Sequence, residues 1–560
     1  GLPGEVAALV AVLAWAGPAA VLCSATGPLL QNARSRSGNG DPYRLSAWAN
    51  AGSLCGLLVY PLIEAVLGRS VQTIVLAAGL VVVGATLWFH LLRRPEAVAT
   101  ASTRTAPIRH RWWILPGLAT VLLAGHTNVL CQELAPVPLL WVVPLALYLL
   151  TWILPFAHPR GYHRATALIG VLVANGLTVA LHAGGAGVDA PPRLVAELAC
   201  LGFGCWACHG EVAALRPPAQ DLGRFWTVAA LGGAGGTLAV LVLAPLVLVD
   251  FSEQRLAVLP ILGLIVLGQG SFTPSRTRFL ASGLLVLILL GVVFSRIAGT
   301  AVHAERSWLG ILAVRDHEVD GQVRRELRHG ATVHGVQVGV AAPSAYYGAS
   351  SGLGLVLAER LQGPPQRIAA VGLGIGTLAV WLRDQDRLTV AELDPAVTRL
   401  ARTYFTCLEG RDDQVAIRHG DGRLVFAADP ESYDLIVLDA FSGGAIPVHL
   451  LTAEAFAVWR ARLTDAGICC IHLSNRHLDL APVIRAGAES VGWSTLIVLD
   501  EDPMDALRCE PSRWAICTAD PSRLAHLAGR AEGDGGTRLL WTDDRTPIIP
   551  LLRVDEEVKP

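Results

Sequence analysis

This 560-residue sequence has almost no lysine and no excess of positive charge. Lys559 is the only lysine, so nearly every cation is arginine, which we attribute to a GC-rich genome and which carries no mechanism. Lysine and arginine together number 44 against 46 acidic residues, and the formal net charge is −2. A surface that binds nucleic acid needs a basic excess, so the composition argues against a nucleic-acid partner.

Charge of either sign is also scarce. Charged residues make up 16% of the chain and apolar residues 52%, and the mean hydropathy is +0.48. This is too apolar for an ordinary soluble protein. The scarcity is confined to the first 300 residues or so, whereas the remainder has an ordinary share of charge. The chain therefore divides into a membrane-like region and a soluble region.

The 11 cysteines occur in both regions. We interpret them as small buried side chains in a reducing compartment, rather than as metal ligands or disulfide partners. The sequence therefore predicts no metal site.

The membrane-like region contains apolar runs of the length that a bilayer requires. A spanning helix needs about 20 apolar residues, and helices are the expected form because lipid offers no partner to free backbone groups. We predict a transmembrane domain of about ten helices over 1–300, with the lipid bilayer as a partner. The candidate spans are 5–30, 45–67, 71–92, 112–130, 136–157, 165–183, 193–215, 225–248, 255–270 and 279–299.

His209 and Glu211 lie near the end of one candidate span, in the segment CHGE. Ionisable residues inside a membrane are candidates for function. Close to a span end, however, they can simply reach the polar interface, so both interpretations stay open.

The sequence pattern changes at about residue 305. Loosely alternating segments over 305–345 predict a small antiparallel β-region. Over 346–560, buried strands alternate with helical segments, which include TLAVWLRD directly after the first strand. This alternation predicts a Rossmann-like α/β domain with a parallel, doubly wound sheet and a ligand at the carboxyl ends of the strands.

Gly372, Gly374 and Gly376 follow the first of these strands. They allow a tight turn and the close approach of a ligand, and the helix predicted after them offers free N–H groups. Glu392 ends the next strand, where it can accept both hydroxyls of a ribose, and GDG at 420–422 ends the third. Together these features predict a nucleoside site.

The motifs VGLGIGTL, AELD, GDGR and LIVLDAF occur in an order that resembles the spermidine synthases, or polyamine aminopropyltransferases, within the class I methyltransferase-like fold. This resemblance covers about 305–500. The segments LDAFSGGAIPVHLLTAEAF, HLSNRHLDLAPV, CHGE and WTDD are similar to a bacterial group in which a polytopic membrane region is fused to such a domain.

The resemblance implies roles on the nucleoside side of the site. The three glycines would shape the pocket for the methionine or aminopropyl part of the co-substrate, and Glu392 would hold the ribose. Asp421 would meet the adenine amino group, with Gly420 and Gly422 making room for the base. The co-substrate would be decarboxylated S-adenosylmethionine or S-adenosylmethionine, with no tightly bound cofactor.

The resemblance also implies a catalytic side. Asp439, at the end of the LIVLD strand, matches the catalytic aspartate that deprotonates an amine acceptor. Tyr346 lies near a substrate-side tyrosine, and Gln337 matches a glutamine that contacts the co-substrate. We interpret His334 only as a polar residue on a β-turn.

Two positions depart from the aminopropyltransferase pattern. Ile375 stands where an aspartate is expected inside the glycine loop, and Ser442 stands where a second aspartate is expected after the catalytic one. Both acids would hold cationic amines, so a methyltransferase that uses S-adenosylmethionine is an alternative function. A polyamine or small-molecule transporter with a nucleoside-sensing domain is another.

Localisation and assembly follow from the same resemblance. We expect a multi-pass protein of the bacterial inner membrane, with a homodimer left open as its assembly. The arginine-rich loops all fall on one side of ten spans, so the positive-inside rule would place the soluble region on the other side. We nevertheless expect a cytoplasmic soluble region, because the co-substrate is made in the cytoplasm.

Overall fold

The computed structural model describes residues 41–92, 107–134, 139–183, 190–266 and 301–553, with scattered positions between 11 and 35. Within these ranges the gaps are 308, 331, 361, 441–446, 476, 504–508 and 534–535. The described chain forms two compact units. The first is helical and extends to 298, and the second contains the chain from 299 onward together with Pro61–Gln72 and Cys131–Pro138.

A helix lies in the described part of each of the eight predicted spans between 45 and 270, whereas most of 5–30 and all of 279–299 lie outside the described residues. Among the described residues, five helical segments are long and apolar enough to cross a membrane: Arg44–Glu64, Arg69–Thr86, Arg111–Leu134, Arg164–Leu181 and Ala219–Val247. Membrane insertion itself stays a prediction. The helices are α1 (Arg44–Val66), α2 (Arg69–Leu92), α3 (Arg111–Asn128), α4 (Val142–Ala157), α5 (Arg164–Ala183), α6 (Ala190–Ala214), α7 (Leu222–Leu238), α8 (Ala244–Val247) and α9 (Glu253–Val266).

The CHGE segment lies in α6, and its ionisable side chains are buried and partnered. Glu211 accepts hydrogen bonds from Arg164 Nε at 2.6 Å and from the Tyr162 hydroxyl at 2.9 Å. His209 bonds Thr151 through Nδ1 at 3.0 Å and stacks on Trp152. These contacts join α6 to its neighbours α4 and α5, which is a packing role; a functional role for the pair remains open.

The second unit begins with a four-stranded antiparallel sheet in the order β1-β2-β3-β4, where the sequence predicts a small antiparallel β-region. Its strands are β1 (Ala301–Ser307), β2 (Gly310–Val319), β3 (Gln322–His329) and β4 (Thr332–Val338).

A seven-stranded sheet follows, in the order β10-β11-β9-β8-β5-β6-β7. The prediction of an all-parallel sheet is wrong at one edge, because β11 pairs antiparallel with both β9 and β10. The strands are β5 (Arg367–Val371), β6 (Arg387–Glu392), β7 (Val415–His419), β8 (Tyr433–Leu438), β9 (Leu463–His472), β10 (Ser494–Asp500) and β11 (Ser512–Thr518). The helices are α10 (Gly352–Arg360), α11 (Pro395–Tyr404), α12 (Gly422–Ala428), α13 (Ala453–Arg462) and α14 (Ala481–Ser490).

Apolar residues cover both faces of this sheet, as the continuous apolar runs predict. In β5, for example, Ile368 and Ala370 belong to one buried cluster and Ala369 and Val371 to another. Successive side chains of a strand point to opposite faces, so a strand covered on both faces has no polar side. The helix predicted directly after β5 is instead a 3₁₀ turn at Thr377–Trp381, so a helix N-terminus is not available to a ligand there.

Candidate functional site

A cleft lies at the carboxyl ends of β5, β6, β7 and β8. The chain runs from β5 outward to β7 and then returns to place β8 on the other side of β5, and an open α/β sheet binds ligands at such a reversal of strand order. Backbone hydrogen bonds hold the four strand tips level, from Gly372 N to Ala391 O at 2.9 Å, from Gly420 N to Glu392 O at 2.9 Å and from Asp439 N to Val371 O at 3.0 Å.

Seven of the nine predicted site residues line this cleft, namely Tyr346, Gly372, Gly374, Glu392, Asp421, Gly422 and Asp439. Gly376 and Gln337 do not. The side-chain amide of Gln337 bonds to Thr406, through its oxygen to the backbone N–H at 2.9 Å and through its nitrogen to the hydroxyl at 3.0 Å. This placement gives no support to the predicted contact of Gln337 with a co-substrate.

The glycine loop adopts a conformation that other residues rarely take. Gly372 has φ +97° and lies against the carbonyl oxygen of Asp439, and Gly374 has φ +55° and lies against the carbonyl oxygen of His334. A side chain at either position would collide with backbone, and an L-residue is strained at these angles. The glycines therefore let the loop cross the cleft floor between β8 and β4.

Glu392 braces this loop and faces the cleft. Its Oε2 accepts a hydrogen bond from Leu373 N at 2.9 Å, and its Oε1 accepts one from Asp394 N at 2.9 Å. Each carboxylate oxygen has a second lone pair, so the pair of hydroxyls of a ribose can still be accepted. Burial raises the pKa of Glu392, although the hydrogen bonds from Asp394 and Leu373 oppose this shift.

This shift predicts how nucleoside affinity depends on pH. Ribose hydroxyls bond more strongly to the ionised carboxylate, so affinity should fall as acidification protonates Glu392. Because the pKa is raised, the fall should begin above the ordinary glutamate value of 4.5. Titration calorimetry with methylthioadenosine at successive pH values measures it. Glu392→Gln should lose this transition, and an unchanged transition in that variant would assign it to another group.

Asp421 is partnered by a residue that the sequence did not indicate. One of its oxygens accepts from Leu424 N at 3.0 Å and caps α12, and the other bonds His449 Nε2 at 2.6 Å. Asp421 and His449 both line the cleft, so a base that reaches Asp421 also meets this imidazole. His449 lies on a short 3₁₀ turn after β8, and nothing in the local sequence marks it.

Asp439 forms the centre of a buried polar network. Its Oδ2 accepts a hydrogen bond from the Tyr347 hydroxyl at 2.5 Å, and its Oδ1 bonds His472 Nδ1 at 2.9 Å. Burial is the main reason that the pKa of Tyr347 is raised, and the Asp439 carboxylate is the second. The phenol therefore stays protonated and donates its hydrogen bond to Asp439. His472 in turn bonds Ser474 Oγ through Nε2 at 2.8 Å, and Ser474 Oγ accepts from Arg513 N at 3.0 Å.

Aromatic rings hold His472 in place. Its ring stacks on Tyr346 at 4.1 Å and on Trp514 at 4.7 Å. An ionised Asp439 has no proton to give, so Nδ1 of His472 must carry the proton in their hydrogen bond. His472 thereby orients Asp439, as the base-and-orienter pairs of many enzymes do. The predicted Tyr346 contributes its ring to this stack and also interacts with Asp439 through a side-chain hydrogen bond, as the neighbouring Tyr347 does.

Substitutions at His472 should separate its hydrogen bond from its stacking. His472→Phe keeps a ring in contact with Tyr346 and Trp514 but removes the donor, and we expect kcat to fall about 10-fold with little change in KM. His472→Asn places an N–H near the position of Nδ1 and should retain more activity. Steady-state kinetics measures both, with His526→Asn as the control at an exposed ion pair outside the cleft. Equal losses in the Phe and Asn variants would contradict an orienting hydrogen bond.

No protein-family model matches the chain. Over 121 residues the chain is 32% identical to the polyamine aminopropyltransferase of Vibrio vulnificus. The aligned segment covers 20% of this chain and 40% of that protein. Over 123 residues the chain is 36% identical to the N-terminal histidine N-methyltransferase of Emericella nidulans. This aligned segment covers 21% of this chain and 22% of that protein. The chain thus spans less than half of the length of these curated relatives, both of which are named as transferases.

Among solved structures, a probable spermidine synthase from Corynebacterium glutamicum has a TM-score of 0.32 at 21% identity, covering 44% of this chain and 90% of that chain. The sequence matches confirm the resemblance to the polyamine aminopropyltransferases that the motifs indicate.

Proposed function

We propose that this protein is a membrane-bound transferase that alkylates an amine with an adenosyl sulfonium donor, in the manner of a spermidine synthase. The observation that carries the proposal is the shared cleft at the strand tips. It joins a ribose acceptor at Glu392, a glycine loop, a base-side carboxylate at Asp421 and a buried carboxylate at Asp439. Decarboxylated S-adenosylmethionine and S-adenosylmethionine both fit this arrangement of groups.

The strand order sets the direction of the donor. With its base toward Asp421 and its ribose at Glu392, the 5′ carbon and its sulfur extend across the glycine loop toward Asp439. An acceptor amine next to Asp439 is then close to the carbon bonded to the sulfonium. The nitrogen forms a bond to that carbon, the carbon–sulfur bond breaks, and the sulfur leaves as a neutral thioether.

Asp439 supplies the base in this step. The attacking amine passes a proton to the carboxylate, while Tyr347 and His472 fix the two oxygens through their hydrogen bonds. Base catalysis of this kind contributes about 10²- to 10⁴-fold, and holding both reactants in one cleft contributes further. The donor's sulfonium already provides the leaving group, which departs as a thioether. The side chains of the protein therefore have only to orient the reactants and to transfer the proton.

The helical unit would embed the protein in the bacterial inner membrane, with the cleft on the cytoplasmic side. Support comes from the five described segments that are long and apolar enough to cross a bilayer. The acceptor, the orientation and a homodimeric assembly remain proposals.

Product analysis tests the proposed reaction. Purified full-length protein would be incubated with each donor and a pool of amines, and the nucleoside product identified by mass spectrometry. Release of methylthioadenosine indicates aminopropyl transfer. A wild-type protein that binds neither donor and releases neither thioether would overturn the proposal.

A methyltransferase is the second candidate. Ile375 replaces the expected acid of the glycine loop and is fully buried, while Ser442, at the second expected acid, lies outside the described residues. The similarity to an N-methyltransferase agrees with this alternative. Release of S-adenosylhomocysteine in the same assay would establish it. The transporter alternative predicts amine flux in proteoliposomes that persists in Asp439→Asn.

A further inference from the structure

The cleft contains a buried polar atom that the proposed reaction does not use. His334 lines the cleft from β4, and its Nε2 is buried with no hydrogen-bond partner among the residues that the structure describes. Buried polar atoms in folded proteins are nearly always hydrogen-bonded, and leaving one without a partner is unfavourable. An atom of this kind inside a ligand cleft indicates a group that the ligand itself satisfies.

The place of His334 along the cleft identifies the part of the ligand that it faces. The base and ribose belong to the tips of β7 and β6, so the substituent on sulfur lies at the other end, near Asp439. Gly374 of the glycine loop lies against the backbone carbonyl of His334. The imidazole is therefore at the end of the cleft that receives the sulfur substituent.

The packing of Ile375 shows why an acid in the glycine loop could not take this place. Its side chain is fully buried and packs against Gly335, where an added Cβ would lie 2.6 Å from Ile375 Cγ1. Position 375 thus points beneath β4 and does not line the cleft. His334, the residue before Gly335, supplies the polar group on the cleft side.

The charge state of His334 suits an acceptor. Burial, together with the neighbouring His329, lowers its pKa to about 4, although Asp439 opposes the shift. The ring is then neutral at physiological pH and carries a lone pair on one nitrogen. A neutral imidazole can accept a hydrogen bond from an ammonium group.

We propose that Nε2 of His334 accepts a hydrogen bond from the primary amino group at the end of the aliphatic substituent on the donor's sulfur. The inference rests on the proposed nucleoside site and names the part of the donor that His334 recognises. Both candidate donors carry this amino group, so His334 would serve either reaction.

The test compares thioether probes, which all lack the sulfonium charge and which differ in the amino group. S-Adenosylhomocysteine and its decarboxylated form carry it, and methylthioadenosine lacks it. Calorimetry on the full-length protein in detergent gives Kd for each. His334→Ala should weaken the two amino-containing probes about 10- to 100-fold and leave methylthioadenosine unchanged.

Further variants separate recognition from folding. His334→Gln brings a carbonyl oxygen close to the position of Nε2 and should retain most of the affinity for the amino-containing probes. His317→Ala, at a half-exposed histidine outside the cleft, should change none of the three values. Equal weakening of all three probes by His334→Ala would mean that His334 only supports the fold, and no weakening would mean that it does not contact the amine. Either result overturns the inference, whereas a wild-type protein that binds none of the probes would instead refute the proposed function.

Discussion

Asp439→Asn should abolish turnover while nucleoside binding persists. The amide keeps the size of the carboxylate but cannot take a proton, so we expect kcat to fall by about 10²- to 10⁴-fold. Methylthioadenosine binding should stay within about twofold of wild type, because the proposed orientation places Asp439 at the sulfur end of the donor and away from the ribose. Kinetics measures the first effect and calorimetry the second.

The interpretation depends on the network around Asp439 staying intact. Asparagine can still accept from Tyr347, but its NH₂ group meets the Nδ1–H of His472, so the imidazole must change tautomer. An equal midpoint of thermal unfolding in the wild type and in Asp439→Asn would show that the fold tolerates this change. Asp465→Asn, at an exposed carboxylate outside the cleft, is the matched control. A variant that keeps more than half of the wild-type kcat would remove Asp439 from the chemistry.

Glu392→Gln should weaken nucleoside binding about 100-fold or more. Hydrogen bonds to a charged acceptor contribute about 1.5–3 kcal/mol each, and a ribose presents two hydroxyls. The substitution also sets an NH₂ group against a backbone N–H, either that of Leu373 or that of Asp394. Loss of one such bond to a buried donor costs about 1–3 kcal/mol, so the thermal midpoint should fall as well.

A ligand cycle separates these two effects. Methylthioadenosine would be compared with its 2′,3′-dideoxy analogue in the wild type and in Glu392→Gln. If Glu392 holds the ribose, the wild type prefers the hydroxylated ligand strongly and the variant only weakly. Glu359→Gln, on α10 and outside the cleft, controls for the loss of a surface carboxylate. The same preference in both proteins would mean that the ribose lies elsewhere.

The local order of elements in the soluble unit could be predicted because each element carries its own signal. Apolar runs that end in Gly372, Glu392, Gly420 and Asp439 correspond to the strands β5, β6, β7 and β8 and their tips. Carboxyl ends of parallel strands meet at one edge, so the sequence predicts these residues in one cleft. The helix after β5 could not be excluded, since TLAVWLRD has helical spacing; in the structure it is only a 3₁₀ turn.

Side-chain partners across the sheet carried no such signal. His472 is 33 positions from Asp439, and the two meet because β9 pairs with β8. His449 reaches Asp421 from a separate turn, and Tyr347, the neighbour of the predicted Tyr346, donates a hydrogen bond to Asp439. The sequence predicts His334 as a turn residue, and only its position on β4 beside the glycine loop brings it into the cleft.

The sequence by itself therefore determined that this chain joins an apolar helical region to an α/β unit whose strand tips carry a glycine loop and three acids. These features depend on residue type and on spacing along the chain, which a sequence displays directly. The tertiary structure alone decided which groups surround each acid, because strand pairing and the stacking of rings depend on contacts between residues far apart in the chain. For Asp439 that environment is a phenol and an imidazole that stacks on two aromatic rings, and this arrangement is the physical basis for proposing that Asp439 takes the proton of the amine.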